Sequence, residues 1–435
     1  MQRIFRFLSR MSLAVALAAL ARLTTAGDLH VANVFGDHMV LQRGAPVPVW
    51  GRAEAAEEVT LEFAGQRKVV TAAADGAWKA VLDPLEASAE PREVVIRGSK
   101  SEKPVTLKDV LVGDVWLCGG QSNMAQTAGA DAAAEDTPLI RFAAVESFTP
   151  GEPAPDVKSR VRWRPADAKS AASCSGSALW FARRVQKELG IPIGLVISCT
   201  GGSAIEQWMG LAALERAPGA KRHLDYVASL VKKFETTPPA AGAEPPHGGW
   251  LGSPQWVHGH RCGRFNGMIA PLAPLAVKGV IWYQGEQNAS RAADYATMLP
   301  ALIADWRATF RQDFPFLIVQ LPAYAAEKKP EGTNWAAMRE VQERVAREVP
   351  GCGVAITCDN ADPGELHPKN KKTVGERLGR VALKQVYGRE VAASGPVFDR
   401  LEIEGSAARV HFKEVGGGLV SKTGAALGGF QIAGA

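Results

Sequence analysis

The chain has 435 residues, of which 46% are hydrophobic and 22% are charged, a composition typical of folded globular proteins of about two or three domains. Lysine and arginine number 50 against 45 aspartate and glutamate residues. Four of the arginines fall within residues 1–26, so the charges of the remainder are nearly balanced. This balance excludes a strongly basic surface, and with it the usual electrostatic basis for binding nucleic acid or an anionic membrane.

Residues 1–26 have the layout of a secretory signal. Arg3, Arg6 and Arg10 precede the apolar run MSLAVALAALA, and small residues follow around Ala26. The run is too short and too often interrupted by arginine for a permanent membrane span, and no later segment approaches the roughly eighteen apolar residues that a span needs. We therefore expect an exported protein, periplasmic or extracellular, whose mature form is not bound to a membrane.

Residues 27–110 alternate apolar and polar side chains in the manner of half-buried β-strands. The stretch EVTLEFAGQRKVV places Val59 and Leu61 on one face before a glycine turn. The stretch ADGAWKAVL repeats the pattern after an Asp-Gly turn, with Trp78, Ala80 and Leu82 on one face. This region is predicted to form a small β-sandwich domain.

From residue 111 to residue 390, short apolar strands alternate with amphipathic helices. The predicted strands are VGDVWLC, IGLVISC, VKGVIWY, PFLIVQL and GVAITC. The predicted helices include SALWFARRVQKEL, DYATMLPALIADWRATF, NWAAMREVQERVARE and KKTVGERLGRVALKQVY. This alternation predicts an α/β domain with a doubly wound parallel sheet covered on both faces, and ligands bind such sheets at the carboxyl ends of the strands. Residues 236–256, rich in Pro, Gly and Ala, are expected to form an inserted loop.

Polar or glycine-rich residues follow four of these strands, in GGQSNM, TGGSAIEQW, QGEQN and DNADPGELHP. Ser122 lies in the first stretch and His367 in the last, with Asp359, Asp362 and Glu365 just before the histidine. A serine, a histidine and a carboxylate are the parts of a nucleophile, its base and the group that orients the base. Taken alone, the serine would be better interpreted as a helix N-cap, and it is His367 with its neighbouring acids that favours a catalytic role.

Acyl transfer also needs hydrogen-bond donors for the oxyanion. The candidates are the backbone N–H of Ser122, a glycine N–H from TGGS, and the side-chain amide of Asn288 in QGEQN. Each has a simpler interpretation, since Gly201 and Gly202 could serve only a tight turn and Asn288 could only cap a helix.

No metal or cofactor site is predicted. His258 and His260 in VHGHRCG have the spacing of a metal pair, but no adjacent residues complete a ligand set. The six cysteines show no C-x-x-C spacing. If GVAIT is a strand, Cys352 and Cys358 lie about 20 Å apart and cannot form a disulfide.

Many stretches, taken in order, resemble the sialate O-acetylesterase family, a branch of the SGNH hydrolases. They are GDHMVLQRGAPVPVWG, GDVWLCGGQSNM, GGSAIEQW, FNGMIAPLAPLAVKGVIWYQGEQNASRAADY, PFLIVQLPAY, MREVQE and DNADPGELHPKNKKTVGERL. The resemblance implies an SGNH-type, flavodoxin-like sheet and a metal-free serine esterase that removes O-acetyl groups from sugars. By the same resemblance Ser122 is the nucleophile, His367 the base, and Gly202 and Asn288 are oxyanion donors.

The family's acid two residues before the histidine is commonly Asp, and here it is Glu365, which we expect to orient His367 in preference to Asp362. Residues 391–435 resemble the opening strands of a further β module of the family, so a partial C-terminal β module is expected. Residues beside the strand ends are expected to contact the sugar, namely Gln121, Gln284, Glu286 and Trp208. Two alternatives remain open: an esterase acting on acetylated polysaccharide such as xylan, and a non-catalytic carbohydrate-binding relative.

Overall fold

The computed structural model describes residues 29–130, 132, 136–236, 261–324, 335–360, 364–421 and 424. The expected signal at residues 1–26 lies outside the described residues, as do residues 237–256 of the expected inserted loop. Within the described ranges no helix is long and apolar enough to cross a membrane. All six cysteines are described and none is in a disulfide.

The N-terminal strands form two mainly antiparallel arrangements, apart from β2, which pairs in parallel with β8 (Val105–Gly120), and their buried side chains join one core. The smaller sheet has the strand order β1-β3-β6. In the second arrangement β4 pairs with both β5 and β7, and β7 pairs with the next strand along the chain, β8. In β6 every second residue is buried, which confirms the predicted alternation of Trp78, Ala80 and Leu82. The strands are β1 (His30–Val31), β2 (Val40–Gln42), β3 (Val47–Arg52), β4 (Glu58–Phe63), β5 (Gln66–Thr71), β6 (Ala77–Leu82) and β7 (Ser88–Gly98).

One long strand, β8 (Val105–Gly120), connects this region to the central sheet. Its first half pairs antiparallel with β7 as far as Val112. Its second half pairs in parallel with strands of the central sheet from Asp114 to Gly120. The expected boundary at residue 110 therefore falls inside a continuous strand.

The central sheet has the strand order β10-β9-β11-β8-β12-β13-β14. The strands from β9 to β14 in this order run parallel, whereas β10 is antiparallel to β9. With the antiparallel β7 on β8, the sheet is mixed rather than purely parallel. The further strands are β9 (Thr137–Ala144), β10 (Arg164–Ala166), β11 (Ile193–Cys199), β12 (Gly279–Tyr283), β13 (Phe316–Val319) and β14 (Cys352–Ala355).

Helices cover both faces of this sheet. Trp116 of β8 packs edge-to-face on Phe181 of one helix, and on the opposite face Trp282 of β12 packs on Trp306 of another. Such two-sided burial explains why most residues of the central strands are apolar. The helices are α1 (Ser122–Ala125), α2 (Gly176–Leu189), α3 (Leu211–Arg216), α4 (Lys221–Thr236), α5 (Ala292–Phe310), α6 (Trp335–Glu348) and α7 (Lys371–Gln385).

Two glycines let α2 and α7 pack closely on one face. A Cβ atom on Gly375 would lie 2.5 Å from Cβ of Trp180, and one on Gly379 would lie 2.8 Å from Cβ of Arg184. These glycines are four residues apart, so they share one side of α7. Because α7 begins just after His367, this contact also fixes where the histidine segment approaches the sheet.

The last described element is a two-stranded hairpin, β15 (Val397–Glu404) and β16 (Ala407–Lys413). Within the described chain it pairs with no other strand, and Phe398, Leu401 and Ile403 are exposed. It falls within the expected C-terminal module, whose residues 425–435 lie outside the described ranges.

Candidate active site

The serine turn, residues 119–125, begins at the carboxyl end of β8. Gly120 has a φ of 137°, and a Cβ atom there would lie 2.1 Å from the carbonyl oxygen of Tyr283, so only glycine fits where β8 and β12 meet. The N–H of Gln121 donates to the same carbonyl over 3.0 Å. Helix α1 begins at Ser122. The close approach of two strand ends therefore fixes the backbone that carries the Ser122 hydroxyl.

The histidine loop, residues 364–370, brings His367 to this hydroxyl. Nε2 of His367 lies 2.8 Å from Oγ of Ser122, although 245 positions separate the two residues. The loop ends at Asn370, whose side chain caps α7 by accepting a hydrogen bond from the N–H of Thr373. An unprotonated Nε2 in this position can accept the proton of the serine hydroxyl.

The surroundings of His367 favour the neutral imidazole. Burial lowers the pKa of His367, and the positive charge of Lys371 lowers it further. The neutral ring is the form that can act as a base, because its free nitrogen carries a lone pair. Near neutral pH the geometry and the charge state are thus suited to proton transfer from Ser122.

The three acids that precede the histidine fall in different places. Asp359 binds the guanidinium of Arg377 through both carboxylate oxygens. Glu365 is half-buried, but among the described residues the hydrogen-bond partner of His367 is Ser122 and no carboxylate reaches its ring. The expected preference for Glu365 is therefore not supported by the structure. Asp362 lies outside the described residues.

The glycine turn after β11 passes beside the serine. A Cβ atom on Gly201 would lie 3.6 Å from Cβ of Ser122, and Gly202 has a φ of 67°, a conformation that favours glycine. In the described structure the N–H groups of Ser122 and Gly202 donate to no backbone carbonyl. Both are therefore available to a ligand oxygen.

Asn288 is fully buried and ties the loop after β12 to the turn after β11. Its Oδ1 accepts hydrogen bonds from the N–H of Ile205 over 2.9 Å and from Nε2 of Gln284 over 2.8 Å. Its Nδ2 donates to Glu206 over 3.0 Å. One amide hydrogen of Asn288 has no acceptor within the part of the chain that the structure describes.

Gln121 and Gln284, both predicted to contact the sugar, are buried and bind each other. Nε2 of Gln284 donates to Oε1 of Gln121 over 3.1 Å and to the carbonyl of Ser203 over 3.2 Å. Oε1 of Gln121 also accepts from the N–H of Gln287 over 3.2 Å. These two glutamines link the three strand-end loops.

Trp208 is assigned to the core rather than to the substrate site, in correction of the expectation. Its side chain is 0% exposed, its Nε1 donates to Oγ of Ser203 over 2.9 Å, and its ring meets that of Trp282 edge-to-face. A buried indole offers no face to a sugar. The short helical turn Ile205–Trp208 points the ring inward, which the spacing of the sequence does not reveal.

Two polar residues beside Ser122 and His367 have no role in the sequence-based predictions. Asn123 is 0% exposed and Lys371 is buried, and Nζ of Lys371 donates to Oδ1 of Asn123 over 2.5 Å. Nδ2 of Asn123 donates to Glu286, so Glu286, predicted to contact the sugar, binds the protein instead. Asn123 is the neighbour of the serine in GGQSNM, which is a usable signal. Lys371 lies in the run KNKK, which has the pattern of a solvated surface.

A cavity of about 560 Å³ opens beside Gly202. Arg222, His223, Tyr226 and Arg291 contribute to its lining. The guanidinium of Arg291 forms an ion pair with the buried Glu206. The cavity lies next to the turn whose Gly201 approaches Ser122.

The described residues contain no group of three or more His, Cys, Asp or Glu side chains that could hold a metal ion. His258 and His260, the pair considered for a metal, lie outside the described residues.

Comparison with known proteins identifies relatives along most of the chain. A family model described as "Carbohydrate esterase, sialic acid-specific acetylesterase" matches residues 112–229 and 252–384. The sialate O-acetylesterase of Rattus norvegicus is 31% identical over 428 residues, which cover 86% of this chain and 76% of the relative. That of Homo sapiens is 29% identical over 412 residues, which cover 86% of this chain and 74% of the relative.

Among solved structures, a carbohydrate acetylesterase from Xanthomonas citri is similar in fold and sequence. It is 33% identical, with a TM-score of 0.73, over 88% of this chain and 81% of that chain. The family model spans more than half of the 435 residues, on both sides of residues 230–251. The chain therefore belongs to the sialic acid-specific acetylesterase family of carbohydrate esterases.

Proposed function

We propose that this chain is a carbohydrate O-acetylesterase in which Ser122 is the nucleophile and His367 is the general base. The observation that carries the proposal is the 2.8 Å contact between Ser122 Oγ and His367 Nε2. It lies at the carboxyl ends of parallel strands, where ligands bind in α/β sheets. The family and the relatives named sialate O-acetylesterase support the same reaction.

In the acylation step Oγ of Ser122 attacks the acetyl carbonyl carbon while Nε2 of His367 takes the hydroxyl proton. The negative charge on the carbonyl oxygen is held by the N–H groups of Ser122 and Gly202, with the remaining amide hydrogen of Asn288 as a third donor. The tetrahedral intermediate collapses, and the imidazolium gives its proton to the departing sugar oxygen. The products are the deacetylated sugar and an acetyl ester of Ser122.

In the deacylation step His367 takes a proton from water, and the resulting hydroxide attacks the acetyl ester. The second tetrahedral intermediate releases acetate, and the proton returns to Oγ of Ser122. The chemistry balances as ester plus water giving alcohol and acetic acid, with no cofactor. Of the three acids considered to orient His367, Asp362 is the one that we propose, because Asp359 is bound to Arg377 and Glu365 does not reach the ring.

The finer description of the fold belongs to this proposal. When the edge strands β9 and β10 are left out and the other five are numbered along the chain, the order β11-β8-β12-β13-β14 is the 2-1-3-4-5 order of flavodoxin-like sheets, which supports an SGNH-type arrangement. We further propose a β-sandwich over residues 27–110, the esterase domain over 111–390 and a partial β module over 391–435. Residues 1–26 are proposed to export the protein.

The cavity beside Gly202 favours an acidic sugar as substrate. Glu206 offsets the charge of Arg291, whereas Arg222 has no ion-pair partner among the described residues. An unpaired guanidinium at the rim of a sugar site suits the carboxylate of a sialic acid. Acetylated xylan has a neutral backbone, so this charge would bring it no comparable contact.

Kinetics of Arg222→Gln test the substrate class. For O-acetylated sialic acid we expect KM to rise by about tenfold, the effect of losing a contact of about 1.4 kcal/mol, whereas kcat/KM for p-nitrophenyl acetate stays unchanged. The matched control is Lys221→Gln, which removes a neighbouring exposed charge paired with Asp225. An unchanged KM for sialate, with faster release of acetate from acetylated xylan, would favour the polysaccharide esterase.

The esterase proposal itself is tested by acetate release from wild-type protein and from Ser122→Ala. We expect the wild type to turn over p-nitrophenyl acetate and acetylated sialic acid, and the variant to fold normally without measurable turnover. Folded wild-type protein that binds sugar and releases no acetate would support the non-catalytic relative. Activity of Ser122→Ala within tenfold of wild type would remove Ser122 from the mechanism.

A further inference from the structure

A buried polar bridge, consisting of Lys371, Asn123 and Glu286, lies beneath the catalytic pair. Nζ of Lys371 donates to Oδ1 of Asn123 over 2.5 Å, and Nδ2 of Asn123 donates to Oε1 of Glu286. The second hydrogen on Nδ2 is directed to the carbonyl of Leu366 over 3.1 Å. The side-chain amide of Asn123 thus forms hydrogen bonds with the ammonium group of Lys371, the carboxyl group of Glu286 and the carbonyl of Leu366.

The bridge connects the two halves of the site at the residues next to the reacting groups. Asn123 follows Ser122 in the serine turn, and Leu366 precedes His367 in the histidine loop. The Asn123–Leu366 hydrogen bond therefore joins the neighbours of the two side chains that must meet. Displacement of a reacting group by about 1 Å can lower a rate by about 100-fold, so a clamp at this point controls the chemistry.

We propose that Asn123, held by Lys371 and Glu286, is the positioning residue that places the imidazole of His367 against the hydroxyl of Ser122. The inference rests on the proposed serine mechanism and adds to it the device that holds the base. Neither Asn123 nor Lys371 touches the substrate in this account. Both act through the histidine loop.

The charges of the bridge also act on His367. The groups facing Lys371 are Asn123, Glu286, Glu365 and the ring of Tyr283. Burial lowers the pKa of Lys371 to about 8, and burial raises the pKa of Glu286 to about 7. The positive charge of Lys371 lowers the pKa of His367, so loss of that charge raises it.

A purely structural role gives different expectations. Removal of one partner from a buried charged network destabilises the fold, so a structural bridge would affect unfolding without moving the pH dependence of the rate. A positioning bridge changes kcat and the acid limb of the pH profile in protein that remains folded. These two readouts separate the roles.

The experiment compares Asn123→Ala, Lys371→Met and the control Lys372→Met, using p-nitrophenyl acetate across pH 5 to 9. For Asn123→Ala we expect kcat to fall by about 100-fold with KM little changed. For Lys371→Met we expect a lower kcat and an acid limb of kcat/KM displaced to higher pH. Lys372 is exposed and lies over the ring of Trp180, so its replacement removes the same charge without either change.

Each variant is checked by circular dichroism and thermal unfolding, and Lys371→Met tests the proposal if Asn123→Ala fails to fold. A folded Lys371→Met with the wild-type kcat and an unmoved acid limb would overturn the inference. The proposed function would survive that result as long as Ser122→Ala is inactive. An active Ser122→Ala would instead remove the mechanism on which the bridge depends.

Discussion

The serine turn and the histidine loop bring their side chains to one point, but different interactions hold them. The serine turn is fixed by backbone, because Gly120 leaves no room for a side chain beside Tyr283 and the N–H of Gln121 donates to the same residue. The histidine loop is held by side chains, through the bond from Asn123 to the carbonyl of Leu366 and the cap at Asn370.

The serine turn and the histidine loop should therefore respond differently to substitution. A backbone held by strand ends is rigid, so substitutions that crowd the serine turn act first on stability. A loop held by buried polar side chains can shift while the sheet stays folded, so substitutions there act on the rate and on its pH dependence. The predictions below test this contrast, from the largest expected effect to the smallest.

Removal of either reacting group gives the largest effect. For His367→Ala and Ser122→Ala we expect kcat to fall by at least about 1,000-fold, as for members of other catalytic triads. Thermal unfolding should change little, because both side chains lie at the end of the sheet rather than in its core. A double variant no worse than either single one would show that the two groups act as a unit.

The acidic residues that precede His367 are expected to differ in their effect on kcat. We expect Asp362→Asn to lower kcat by about 100-fold or more, because the wrong tautomer of the histidine is then favoured. Glu365→Gln should stay within about fivefold of wild type, because its carboxylate makes no contact with the ring. Steady-state kcat values of the two isosteric variants decide the matter. The reverse order would restore Glu365, and two mild variants would leave a serine–histidine pair.

The stability of Gly120→Ala tests whether contact between strand ends holds the serine turn rigid. A Cβ atom there would lie 2.1 Å from the Tyr283 carbonyl oxygen, at a residue whose φ is 137°. We therefore expect the free energy of unfolding to fall by about 3 kcal/mol. Gly202→Ala is the matched comparison, because Gly202 also has a positive φ but an added Cβ atom would meet open space. For this variant we expect the free energy of unfolding to fall by about 1 kcal/mol. Equal losses in chemical denaturation would contradict the idea that strand contact fixes the serine turn.

The smallest effect is a displacement of the wild-type pH profile. Since burial and Lys371 lower the pKa of His367, the imidazole loses its proton below its ordinary value of about 6.5. The active neutral form therefore persists to lower pH, and the acid limb of kcat/KM should have its midpoint below that value. A midpoint above about 6.5 would show that the carboxylate proposed at Asp362, which raises the pKa of the imidazole, outweighs burial and Lys371.

Sequence reasoning predicted that Ser122 and His367 meet, as they do in the structure, because ligands of such sheets bind at strand ends and the four polar stretches mark those ends. It missed β9, in which the buried Arg141 pairs with Asp109 and interrupts the apolar pattern of a strand. It missed the bridge because Asn123 and Lys371 are 248 positions apart, and no local pattern reports such a pairing. Trp208 was misplaced because the direction of its ring depends on a short turn.

The central claim is that Ser122 is a nucleophile activated by His367, and labelling with a fluorophosphonate tests it most directly. We expect intact-protein mass spectrometry to show one adduct per chain and peptide mapping to place it on Ser122. The adduct should be absent from Ser122→Ala and should form far more slowly in His367→Ala. An adduct on another residue, or a protein that deacetylates sugars while Ser122 stays unlabelled, would contradict the account.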